Sequence, residues 1–136
     1  MPPTLPLVSA VYAAILALLG GALTVAVIVQ RTRHAVAAGD GGVASLAQAI
    51  RAQANFAEQV PMAVIAIACA ELMGASPLLV NALGVVLVGA RLASAYALSR
   101  SLSVVTPLRQ AGAALTGLVV AVAAIRVLLA AAGVAL

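Results

Sequence analysis

Arg51, Asn55 and Glu58 stand at i, i+4 and i+7 of one segment. A helix there would put a guanidinium, a carboxamide and a carboxylate on one face over about 10 Å. Arg91 and Glu58 lie within stretches otherwise apolar enough to cross a bilayer, and Arg109 opens the last such stretch. Insertion scales assign ~2.5–3.5 kcal/mol to a charge at mid-membrane, so each of these groups needs a partner, a ligand or a water-filled site. The chemistry open to them is therefore charged-ligand binding, helix pairing through a direct Glu58–Arg91 contact, or proton carriage by Glu58. Nucleophilic and metal chemistry are not indicated: His34 is the only histidine and Cys69 the only cysteine, too few for a Cys-His, Ser-His-Asp or metal-ligand set of usual spacing.

The elements that position these residues follow from composition. With mean hydropathy +1.25, 65% hydrophobic and 7% charged residues, the 136-residue chain is far from a soluble domain, whose charged fraction is about a quarter. Four apolar stretches, about Leu7–Val29, Phe56–Met73, Leu78–Leu98 and Gln110–Leu129, each approach the ~20 residues needed to span ~30 Å of hydrocarbon. The expected fold is an all-α, four-helix transmembrane bundle forming a single domain over 1–136. The first stretch exceeds a secretory h-region and no basic residue precedes it, so it is read as a permanent span. Cys69 falls deep in the second stretch, where a buried, inert thiol is expected.

The second helix is expected to begin at about Ala44, before the membrane, with Ser45 as a cap and a kink at Pro61, which cannot donate to the carbonyl of Ala57. Gly39-Asp40-Gly41-Gly42 reads as a turn, its glycines able to take positive φ and its aspartate able to bond its own backbone. Glu71 and Arg126 fall toward the same end of their helices and are expected to pair. All seven basic residues are arginine, and Arg31, Arg33, Arg51, Arg100 and Arg109 flank the first and third connections. The positive-inside rule then puts those connections in the cytoplasm and both termini outside it. The formal charge of +4 is accounted for by this topology and, with no aromatic-interleaved basic patch, does not point to nucleic acid.

The run Arg51-Ala52-Gln53-Ala54-Asn55-Phe56-Ala57-Glu58-Gln59-Val60-Pro61, then Glu71-Leu72-Met73-Gly74, Gly89-Ala90-Arg91 and Arg109-Gln110-Ala111-Gly112 with Thr116, resembles the MAPEG family, membrane-associated proteins in eicosanoid and glutathione metabolism. The Gly39–Gly42 loop resembles a bacterial branch of it. The resemblance implies a homotrimer in the bacterial inner membrane that binds glutathione between neighbouring subunits near the cytoplasmic face. It further implies that Arg51, Asn55, Glu58 and Arg91 hold the peptide, that Gln53 matches the leukotriene C4 synthase branch, and that Arg109 stabilises the thiolate. The residue types suit the ligand: arginines for two carboxylates, Glu58 for an ammonium, and the amides of Gln53 and Asn55 for hydrogen bonding.

The chain departs from the catalytic branches at three positions. Gln59 stands where they commonly carry Tyr, Ser94 where they carry His or Tyr, and Leu98 where they carry Tyr; Tyr96 lies about 140° around the helix from Arg91 and does not substitute. Three functions follow from these features. The leading one is a transferase that adds the glutathione thiolate to a lipophilic electrophile from the bilayer. The second is a non-catalytic trimeric scaffold or ligand binder, favoured by the missing aromatic residues. The third is a small proton-coupled exporter using Glu58, against which stands the position of that residue near the boundary, two turns from an arginine.

Overall fold

The computed structural model describes residues 5–100 and 106–134. Four helices follow in chain order: α1 (Leu7–His34), α2 (Ala44–Leu72), α3 (Pro77–Arg100) and α4 (Pro107–Ala131). Each is long and apolar enough to cross a membrane. At 1.5 Å per residue even the 24 residues of α3 reach about 36 Å, enough to clear the hydrocarbon and leave both ends in the interfacial layers. The expected spans fall on these helices, with only Met73 lying one residue past α2.

Local signals explain the helix ends. α1 stops where Ala35 turns left-handed, with the Val36 amide donating back to the Arg31 carbonyl at 3.1 Å. α4 starts at Pro107, which needs no donor in the first turn, and the Thr106 hydroxyl accepts from the Arg109 amide at 3.3 Å. α2 begins at Ala44 but is not capped by Ser45: Val43 is the flanking residue, and the Ser45 hydroxyl donates to the Gln30 side chain at 3.0 Å, joining α2 to α1 instead. α2 runs as one helix through Pro61. Cys69 is half-buried, not deep in the core.

α2 and α3 form the centre, α1 packs on one side of that pair and α4 on the other, and α1 and α4 share no contact among the described residues. The buried stripe of α2 (Val60, Ala63, Ile67, Ala70) recurs at helical spacing. It meets Leu83 and Leu87 of α3 and Val119 and Ala123 of α4. α1 fully buries only Ser9 and Leu16, and more than half of its residues are exposed, as a lipid-facing helix can be.

The end of the bundle near the termini is closed by Glu71. Its two carboxylate oxygens accept from the amides of Val8 (2.9 Å) and Ser9 (2.7 Å), supplying the cap that α1, preceded by Pro6, lacks in its own sequence. The expected Glu71–Arg126 pair is therefore not formed. The amides of the first turn of α1, which have no partner within the helix, take the carboxylate, and Arg126 Nη2 donates to the Gly74 carbonyl at 3.4 Å. Glu71→Ala should lower the stability of the detergent-solubilised protein by about 2 kcal/mol or more, the scale of a lost charge-assisted bond. Arg126→Ala should cost clearly less in the same thermal unfolding measurement, and equal losses would return the carboxylate to Arg126.

Candidate functional site

Arg51, Asn55 and Glu58 lie within about 60° of one another around α2, at the edge between its outer surface and its packed side. Arg51 and Glu58 project outward, with side chains 46% and 56% exposed and Nη1 to Oε1 at 3.5 Å. Asn55, between them, is half-buried and turns toward α3. Gln53 lies about 200° around the helix from Arg51. It cannot join Arg51 on a ligand held by the same subunit, and among the described residues its side chain has no hydrogen bond.

Arg51 and Arg109 are brought together by a cavity of about 540 Å³ between α2, the start of α4 and the α1–α2 loop, with Gly39, Asp40, Ile50 and Ala54 in its walls. The loop is held in shape from both sides. Gly39, Gly41 and Gly42 all take positive φ. Arg31 Nη1 donates to the Gly39 carbonyl at 3.1 Å, and the Gly42 amide donates to Asp40 Oδ1 at 3.0 Å. Deeper along the same α2–α4 seam lies a cavity of about 310 Å³ lined by Glu58, Gln59, Met62, Ala113, Gly117 and Val120. The Arg51–Glu58 pair stands between the two, Arg51 in the wall of the first and Glu58 in the wall of the second.

Arg91 is elsewhere. It is 1% exposed and bonds to three helices: Nη1 to Asn55 Oδ1 of α2 at 3.2 Å, Nη2 to Ser94 Oγ of α3 at 3.2 Å, and Nη2 to the Gly112 carbonyl of α4 at 2.8 Å. The Thr116 hydroxyl donates to that same carbonyl at 2.9 Å. Arg91 does not line the cavity of Arg51 and Arg109. Nor does it pair with Glu58, whose carboxylate stays on the outer face with Arg51 because the buried face of α2 offers Asn55 instead.

The contact depends on Gly112. A Cβ there would overlap Ser94 Oγ and come 2.8 Å from the Ala90 carbonyl, so glycine is what lets α4 approach close enough for its carbonyl to reach Arg91. Ser94 and Leu98 are 4% and 1% exposed; both face the bundle interior. Tyr96 points away from it, with the Arg100 guanidinium 5.1 Å from its ring centre.

The sequence groups Arg51, Gln53, Asn55, Glu58, Arg91 and Arg109 as one site; within this subunit Arg51, Glu58 and Arg109 line the α2–α4 seam, Arg91 is buried in the bundle with half-buried Asn55 bonded to it, and Gln53 lies on another side of α2. Asp40 as a wall of the cavity was missed. Its signal was the cluster of glycines around it, read as a turn and nothing more.

Gly112→Ala should destabilise the solubilised protein by about 1–3 kcal/mol, the usual cost of overpacking. Adding Ser94→Ala should recover part of the loss by removing the hydroxyl but not the backbone clash, and strictly additive losses in the cycle would contradict the packing described.

The model of the MAPEG family matches residues 9–129. The inner membrane protein YecN of two Escherichia coli strains is 38% identical over 90 residues, which cover 66% of this chain and 69% of YecN. No solved structure matches significantly. With four membrane-length helices and a family match over most of its length, the chain is a multi-pass membrane protein belonging to the MAPEG family.

Proposed function

We propose that this protein binds glutathione in a homotrimer of the bacterial inner membrane and adds its thiolate to lipophilic electrophiles arriving from the bilayer. The observation that carries the reading is the meeting of Arg51 and Arg109 in one cavity of about 540 Å³ at the arginine-rich end of the bundle. That end lies in the cytoplasm by the positive-inside rule, with access to a soluble thiol peptide. YecN, by its name, is an inner membrane protein, which supports the location.

In this reading Arg51 takes a carboxylate of the peptide and Glu58 holds Arg51 in place. Arg109, with no hydrogen bond to its side chain among the described residues, stabilises the thiolate. Lowering a thiol pKa from ~8.5 by about two units needs ~2.7 kcal/mol of preferential thiolate stabilisation, within reach of one desolvated guanidinium. Arg91 acts at a distance, through Asn55 and the α3–α4 contact that shape the wall. Gln53, on the opposite face of α2, serves the site of a neighbouring subunit.

The electrophile enters along the deeper cavity between α2 and α4. The thiol proton leaves to solvent, the sulfur forms a bond to the electrophilic carbon, and that carbon releases its leaving group with the bonding pair. No covalent enzyme intermediate is needed, because orientation and charge stabilisation carry the step.

One observation favours a non-catalytic binder of the same fold. Among the described residues no aromatic side chain lines either cavity, so an aromatic electrophile finds no stacking partner in them. Two measurements decide. In calorimetric titration glutathione should bind with about 4–6 kcal/mol, a Kd of high micromolar to millimolar order, and Arg51→Ala should weaken it at least about tenfold.

Bound glutathione should show the ultraviolet band of its thiolate at neutral pH, which Arg109→Ala should remove while keeping most of the affinity. The same variant should slow conjugation of a chloronitrobenzene by about tenfold or more, each pKa unit being ~1.4 kcal/mol. Binding with no thiolate band in the unmutated protein selects the binder, and no binding at all rejects glutathione.

A further inference from the structure

Arg126 is the one arginine of the chain at the end of the bundle near the termini; the other six lie in or toward the opposite half. It precedes the last residue of α4 by five positions, about 7.5 Å, and its guanidinium reaches the α2–α3 turn, where Nη2 donates to the Gly74 carbonyl at 3.4 Å. That distance exceeds the usual range for such a bond. Nη1 is shut off from solvent and has no hydrogen-bond partner among the described residues. The side chain is half-buried, so the protein has placed a cation at the level of the headgroups and left its charge unmatched.

No carboxylate of the chain can match it. Asp40 lies in the loop at the far end, Glu58 pairs with Arg51, and both oxygens of Glu71 are held by the amides of Val8 and Ser9. A second copy inserted the same way up would present these side chains at the same heights, with Glu71 engaged again. Beside the guanidinium runs a groove of about 210 Å³ between the start of α3 and the end of α4. Its walls are Leu79, Val122, Ile125, Leu129 and the stem of Arg126, apolar throughout. An unmatched cation at the mouth of an apolar groove is complementary to an amphiphile with an anionic head, and a soluble anion would use only half of it.

We propose that this groove seats an anionic phospholipid, its phosphate on the free donors of Arg126 and the start of one acyl chain along Leu79, Val122, Ile125 and Leu129. The preference is for headgroups of net negative charge. A zwitterionic head brings a cation of its own, and no free carboxylate stands beside Arg126 to receive it. The site is independent of the cavity of Arg51 and Arg109, at the opposite end of α4.

The test is native mass spectrometry of the full-length solubilised protein, incubated with equal amounts of dioleoyl phosphatidylglycerol and dioleoyl phosphatidylcholine in the same micelles. The unmutated protein should retain phosphatidylglycerol over phosphatidylcholine by about fivefold or more, the scale of one arginine facing anionic lipid. Arg126→Gln should bring the two lipids within about twofold of each other, and Arg126→Lys should keep most of the preference. Leu129→Glu sets a carboxylate one turn from Arg126 and should abolish the preference with the arginine still present, so the test stands even where Arg126→Gln fails to fold. Arg33→Gln, which removes an exposed cation at the other end, should leave it unchanged, and excess sn-glycerol 1-phosphate should not displace the retained lipid.

An Arg126→Gln protein that keeps the preference would overturn the proposal, as would an equal loss in Arg33→Gln, which would reduce it to overall charge. Displacement by glycerol phosphate would make the site one for a soluble anion. A changed oligomer mass in Arg126→Gln with the lipid ratio intact would assign the groove to a second copy instead.

Discussion

A guanidinium at 1% exposure in the middle of an apolar bundle is the constraint around which the rest is arranged. Arg91 has no carboxylate partner, and its Nε has no hydrogen-bond partner among the described residues. Its charge is met by dipoles alone: an amide oxygen from α2, a hydroxyl from α3 and a main-chain carbonyl from α4. Breaking any of these leaves a buried cation further uncompensated, and loss of a bond to a charged group costs about 1.5–3 kcal/mol. The need to satisfy it dictates neighbouring residue types, namely Asn55 facing α3, a small hydroxyl at Ser94, and glycine at Gly112 so that the α4 backbone can come near.

That interior clamp frees the outer seam. With α2, α3 and α4 held by Arg91, the loop-proximal faces of α2 and α4 need not be complementary to each other, and they enclose a cavity whose walls carry Arg51, Arg109 and Asp40. The three carboxylates of the chain are divided among three tasks at different heights: Asp40 in the loop, Glu58 beside Arg51, and Glu71 capping α1 at the opposite end. An internal ion pair would have consumed one of them. Because Arg91 is satisfied by dipoles instead, both Glu58 and Asp40 remain on the surface that a ligand can reach.

Much of this was legible in the residues, and the reasons it stopped are physical. The four helices follow from apolar run length, and the common face of Arg51 and Glu58 from a period of 3.6. Arg91 announced itself by its cost in a membrane, but its partners could not be read. One is a main-chain carbonyl exposed by a close approach at Gly112, and carbonyls carry no sequence signal. Glu71 was misassigned to Arg126 for the same reason, since its partners are the backbone amides of Val8 and Ser9, more than sixty positions away. Asp40 was hidden by a sufficient local explanation: an aspartate among glycines makes a turn whether or not it also faces a cavity. Ser94 and Leu98, read as gaps in an aromatic wall, face the interior of this subunit, where the Gly112 contact leaves no room for a larger ring at Ser94.

The central claim is the division between an interior arginine that holds the bundle and a surface seam that holds the ligand. Hydrogen–deuterium exchange of the solubilised protein with and without glutathione tests it most directly, because exchange reports local opening along the chain. The account predicts that glutathione slows exchange in 39–47 and in the first turns of α4 beginning at Arg109, and leaves 88–98 around Arg91 unchanged. Protection centred on 88–98, with the loop unaffected, would make Arg91 the ligand's own contact and contradict the division.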